Sequence, residues 1–308
     1  MWRNSVPQLG FPCPFVLQLL LGVSALHLAR ILPADSARFW RLAESRASVG
    51  IRQLTELLPT LRRENCGALF LTTTLVLVFS LAKGPSPTDK FLVANGAEVP
   101  WWQPLRGVRL ILDTMGPDAV FSGSRRPRYP AEQPPRPRIQ PLITAASSQI
   151  VATALFWEEA LWEVSDLIAV SPSPHTEMFQ RTFEELAGCF RETFGTPEEP
   201  RKRIIGRFEV IVAWLYRLED DFTLQVGQQH PVALVLLAHF AMLLQTMEYA
   251  WFVEGWVGHI IRRVTEILGV HFAECLKWPT ATIRESSRPW GAEWLSTRVM
   301  RASLKAVV

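Results

Sequence analysis

Cysteine is scarce in this chain and nowhere closely paired. The four, Cys13, Cys66, Cys189 and Cys275, form no C-x-x-C unit. That excludes a dense disulfide scaffold and a zinc knuckle built from neighbouring residues. Glycosylation sequons are missing: Asn4, Asn65 and Asn95 all lack Ser or Thr two residues on, so a secreted glycoprotein has no support. An excess of one charge is missing as well. Lys and Arg number 32 and Asp and Glu 29, for a net charge of +3 over 308 residues, which excludes a nucleic-acid binder acting through bulk charge. Strand signals are nearly absent. Asn95-Gly96 is the lone hairpin-type dipeptide, and no alternating runs flank it.

What the chain has in quantity is apolar and aromatic surface. Hydrophobic residues make up 48% and charged residues 20%, so the chain is no disordered polyelectrolyte. Twelve Trp and 17 Phe stand against 3 Tyr, and such rings must be buried or face a membrane or a ligand. Three apolar stretches raise the membrane question: 15–31, 67–82 and 231–253. In the first, Arg3 and the small residues after the apolar run imitate a signal peptide. Its polar members, Gln18, Ser24, His27 and Arg30, fall on one side of a helix instead. The second is short for a span and carries Thr72, Thr73, Thr74 and Ser80. The third holds His239, Gln245 and Glu248, and a mid-membrane carboxylate is costly. The expected reading of the third is a central helix that other helices surround, apolar on every side.

Helical periodicity runs through the chain. It predicts helices over 15–32, 35–58, 62–82 and 104–115, ended by Pro33, Pro59 and the Gly84-Pro85-Ser86-Pro87 turn. Residues 122–141 then hold six prolines and five arginines (125, 126, 128, 136, 138) against one Glu, the composition of an extended basic linker. A nuclear-localisation or phosphate-backbone patch is the alternative for that run. Further helices follow over 147–169, 179–194, 204–222, 231–253 and 254–268, with Trp278-Pro279 closing the last. The expected architecture is all-α, an array of about nine to eleven helices with one Pro/Arg-rich loop. It divides into a tail over 1–14, one helical domain over 15–280 and a tail over 281–308.

Chemistry is harder to find. There is no P-loop, no G-x-G-x-x-G, no G-x-S-x-G elbow and no H-E-x-x-H. His230, His239, His259 and His271 have no spacing that places two on adjacent turns. Glu158, Glu159 and Glu163 read as a solvated helix face. For a helical enzyme of the terpene-cyclase type, Glu219-Asp220-Asp221 is the nearest acidic cluster, and no further Asp follows it at metal-binding spacing. The expectation is a protein that is not an enzyme, with no catalytic residue, metal ligand or cofactor of its own. Phe240, Leu244, Met247, Trp251 and Phe252 recur at helical spacing on the most apolar stretch. They are candidates for an apolar ligand site, and plain core packing is the competing reading.

Two stretches resemble the regulatory domain of fungal binuclear-zinc-cluster transcription factors, of the sterol-uptake-control group. The first is LLLGVSALHLARILP over 19–33, with LRRENCGALFLTTTLVLVFSLA over 61–82. There His27, Leu28, Glu64, Asn65, Cys66, Ala68 and Phe70 fit the family pattern, as does the Leu105-Arg106-Gly107-Val108 turn. The second is HPVALVLLAHFAMLLQTMEYAWFVEGWVGHIIRRV over 230–264, with Lys277-Trp278-Pro279. Ala233, Leu234, Ala238, His239, Phe240, Trp251, Gly255, Trp256, Trp278 and Pro279 match there. The resemblance covers most of 15–280. It implies an all-helical regulatory body in the nucleus that controls sterol or secondary-metabolite genes. It also implies a sterol-like apolar effector and a second copy or transcription machinery as partners. The family's six-cysteine zinc module has no counterpart in this chain, so DNA contact is expected only where a partner or further sequence supplies that module. A membrane-associated helical protein, or a scaffold acting through a partner, is the alternative.

Overall fold

The computed structural model describes residues 11–85, 102–116, 120, 157–171, 173–196, 199, 204, 206–247 and 250–286. The Pro/Arg-rich run at 122–141 lies outside them. Among the described residues there are eleven α-helices and no strand, so the chain is all-α. The helices are α1 (Pro14–Ile31), α2 (Ser36–Leu57), α3 (Cys66–Ala82) and α4 (Trp102–Met115). After them come α5 (Trp157–Val170), α6 (Thr176–Phe194), α7 (Phe208–Arg217) and α8 (Asp220–Gly227). The chain continues into α9 (Pro231–Gln245), a 3-10 turn at Trp251–Val253, α10 (Trp256–Leu268) and α11 (Lys277–Ser286).

Helix α1 and helix α2 form an antiparallel hairpin whose seam is built from small residues. A Cβ added to Gly50 would sit 2.9 Å from Leu19 Cγ and 3.1 Å from the Phe15 carbonyl oxygen. Only glycine lets the two backbones approach that closely. Helix α3 is apolar on all sides because it faces three cores at once. Leu71, Leu75 and Phe79 pack with α1 and α2, Cys66 and Leu69 pack toward Leu54 and Ile111, and Leu77 and Leu81 reach the main core. Its hydroxyls are satisfied inside the helix: Thr72 donates to the Ala68 carbonyl at 2.6 Å, and Ser80 to that of Val76 at 2.9 Å. Burial of those polar groups therefore costs little.

The main core surrounds α9. Of its 15 residues, 14 are buried, and only Pro231 at its start is not. His230 precedes it as N-cap, and proline in the first turn suits a position whose N–H has no helical partner. The expected central helix is thus present, but it ends at Gln245 rather than 253.

Other boundaries differ from expectation as well, and three of them have a clear local reason. The stretch expected as one helix over 204–222 is two, broken at Leu218-Glu219, which are extended. Tertiary partners hold the break open: Arg109 of α4 donates to the Leu218 carbonyl at 2.9 Å, and Arg181 of α6 pairs with Glu219 at 2.9 Å. Helix α3 begins at Cys66 because the Asn65 side chain builds a turn ahead of it. Its Oδ1 accepts from the Arg62 N–H at 2.7 Å, and its Nδ2 donates to the Thr60 carbonyl at 3.0 Å. Trp278-Pro279 opens α11 instead of closing α10, proline again falling in a first turn.

Candidate functional site

The five candidate ligand residues separate into two groups in space. Phe240 and Leu244 of α9, with Met247 just beyond it, line one crevice beneath the central helix. Leu237 of α9, Leu77 and Leu81 of α3, Phe208, Val212 and Leu215 of α7, and Val253 complete the wall. Phe252 stands one layer off, edge-on to Phe208 at 5.9 Å between centroids. Trp251 turns the other way and stacks on His27 of α1 at 4.8 Å. Helical spacing groups the first three because they share α9 and its end. It fails for the other two because the chain has left the helix by then.

The crevice holds about 20 Å³, room for roughly one water-sized body and far below the ~300 Å³ of a typical ligand cavity. Its lining is apolar throughout, so such a space stays dry. Any larger apolar guest would have to displace side chains. Met247 is the adaptable part of the wall, since an unbranched thioether repacks easily. The loop before α7 pins that wall in place: the Gly206 N–H donates to the Thr246 carbonyl at 3.1 Å.

A second set of contacts joins residues far apart in the chain. His27 stacks on Trp251, the Arg30 guanidinium lies 5.9 Å from the same ring, and Arg30 pairs with Glu254. Trp256 Nε1 donates to the Leu81 carbonyl at 2.8 Å. His239, fully buried, sits 5.9 Å from Trp278 between ring centroids. Its Nδ1 meets the Val235 carbonyl at 2.9 Å, so Nδ1 carries the proton, and its buried Nε2 has no partner among the described residues. Burial pushes its pKa down to about 4, so the ring is neutral near pH 7. Burial, with Arg30 beside it, also lowers that of His27.

Among the described residues no group of three His, Cys, Asp or Glu converges as a metal site would require. The Cys189 thiol is pushed up to about 11 by burial, which keeps it protonated and unreactive. Glu158, Glu159 and Glu163 lie on the exposed side of α5. Asp220 and Asp221 begin α8, and Glu219 is its N-cap residue; Glu219 and Asp220 pair with Arg181 and Arg106. The contacts that sequence reasoning missed, Arg109 to Leu218 and Trp256 to Leu81, join side chains to backbone carbonyls, and no residue pattern announces those.

Comparison with family models, with curated proteins and with solved structures finds no match to this chain.

Proposed function

We propose that the chain is the regulatory, effector-sensing body of a transcription regulator of the fungal binuclear-zinc-cluster type. It acts in the nucleus on sterol or secondary-metabolite genes, and DNA contact is supplied by a partner or by further sequence. The observation that carries this reading is the pairing of the motif residues. His27, in the first family-like stretch, stacks on Trp251 in the second. Trp256, in the second, donates to Leu81 in the first. His239 faces Trp278. The first two of these contacts join the first family-like stretch to the second, as contacts within one packed body would. The all-helical array supports the same reading. The effector is an apolar small molecule; at about 20 Å³ the crevice at Phe240, Leu244 and Met247 admits it only once side chains such as that of Met247 have moved aside.

Fusion to a heterologous DNA-binding domain tests this in a yeast reporter strain. The fusion is expected to change reporter output relative to the DNA-binding domain alone, and sterol depletion to shift that output. A fusion that accumulates in the nucleus yet leaves the reporter unchanged under both conditions would contradict the proposal.

Membrane association is the second reading, and α1 favours it. That helix has 18 residues, a mean hydropathy of 1.6 and only 39% of its length buried; Leu21 is exposed on it, and so is Leu32 just past its end. Flotation with vesicles in the absence of detergent decides between the two.

A further inference from the structure

Helix α5 turns one side to the core through Trp157, Leu161, Val164 and Ile168. Its outer side has no partner among the described residues. Trp162 is 71% exposed and Val170 74%, large values for residues of this size. Around them stand Glu158, Glu159, Glu163 and Asp166, all exposed. At 100° per residue these six positions span an arc of roughly 140°. The helix carries four carboxylates and no basic residue, and none of the four enters an ion pair among the described residues. Glu159 and Glu163 lie four apart, where like charges oppose helix formation. An exposed indole ringed by unpaired carboxylates is a surface shaped for a cationic, flat or proline-bearing chain.

This chain contains one such segment. Residues 125–138 hold Arg125, Arg126, Arg128, Arg136 and Arg138 with five prolines and a single Glu. The net charges are +4 for the segment and −4 for the helix. Arginine suits both halves of the surface, since its guanidinium pairs with carboxylates and stacks on indole. Eighteen residues, 139–156, separate Arg138 from Trp157. An extended chain of that length spans up to about 60 Å, while α5 is roughly 21 Å long. Short tethers of this kind give millimolar effective concentrations.

We propose that the outer face of α5, centred on Trp162, is the docking surface for the Arg/Pro-rich segment 125–138 of the same chain. Docking covers the exposed indole and neutralises both runs of charge. It also withholds the basic segment from other anionic partners until something competes for it. The proposal is independent of the transcriptional reading, because it rests on the face and on the composition of the segment.

The test uses the full chain and a synthetic peptide of residues 124–138. In one variant the five arginines are replaced (R125Q, R126Q, R128Q, R136Q and R138Q), which frees the face. The peptide is expected to bind this variant at low ionic strength, and at least ~10-fold more weakly to the unaltered chain, whose face its own segment occupies. Adding W162S, E159Q, E163Q and D166N to the arginine-free variant is expected to abolish binding, as is raising salt to about 0.5 M. These substitutions sit on the solvent side, and an unchanged circular dichroism melt shows that they spare the fold. Equal binding to both chains, no binding to either, or binding indifferent to the face substitutions overturns the proposal. Salt-sensitive dimerisation of the unaltered chain, seen by sedimentation, overturns the assignment to the same molecule and places the segment on a second copy.

Discussion

The indole of Trp256 donates its N–H to the carbonyl of Leu81 at 2.8 Å, across 175 positions of sequence. The acceptor lies in the last turn of α3, where carbonyls have no helical donor. The Gly84 N–H reaches the same oxygen at 2.9 Å, so both of its lone pairs are engaged. Gly255, just before Trp256, is left-handed at φ 82° and brings α10 in at that angle, a conformation that glycine adopts without strain. One tryptophan thereby joins the helix shared by all three cores to the helices around α9.

Gly206 is the tightest position in the candidate site. A Cβ there would stand 2.7 Å from Ile211 Cδ1 and 2.9 Å from Met247 Cγ, and would press on the Thr246 hydroxyl. Gly206→Ala is expected to lower stability by about 1–3 kcal/mol through overpacking. Urea denaturation followed by circular dichroism checks it, and an unchanged midpoint contradicts the packing described.

His239 sets an acid limit on stability. Its folded-state pKa of about 4 lies below the ordinary 6.5. The unfolded chain therefore takes up the proton first as pH falls. Stability is complete above about 6.5 and is lost between there and about 4, by on the order of 3 kcal/mol. His27 and His230 are lowered in the same direction, each chiefly by burial, and being less buried they add less. Denaturation midpoints at several pH values are expected to fall through this window, with a shallower fall in His239→Leu. A flat profile in the unaltered protein contradicts the burial of this ring.

The crevice makes a separate prediction. Leu244→Ala removes part of its wall and is expected to cost about 2–5 kcal/mol. The enlarged space is apolar and stays dry, so it is expected to take up a small apolar probe such as benzene. The probe raises the melting temperature of the variant and not that of the unaltered protein. A variant that gains nothing from benzene has collapsed around the deletion.

Much of the fold is legible in the sequence because apolar periodicity and proline punctuation are local. Pro33, Pro59 and Pro231 mark ends or starts that the structure keeps to within a residue or two. Boundaries set by tertiary partners are not legible in that way. The break at Leu218-Glu219 depends on Arg109 and Arg181, which sit on other helices. The site shows the same division. Phe240, Leu244 and Met247 follow from the spacing on α9, whereas Leu77 and Val212 join them only once α3 and α7 are packed. The same spacing predicts Trp251 and Phe252 beside them, but the helix that would carry it ends at Gln245.

The functional reading rests on the two motif-bearing stretches forming one cooperative body, and hydrogen exchange on Trp256→Phe tests that most directly. Phenylalanine keeps most of the ring's bulk and removes its N–H, at an expected cost of about 1 kcal/mol. Amide protection in α3 and in α9 and α10 is expected to drop together by a similar factor, with one thermal transition retained. Full protection in α3 beside loosened α9 and α10, or two separate transitions, would show two independent units and contradict the account.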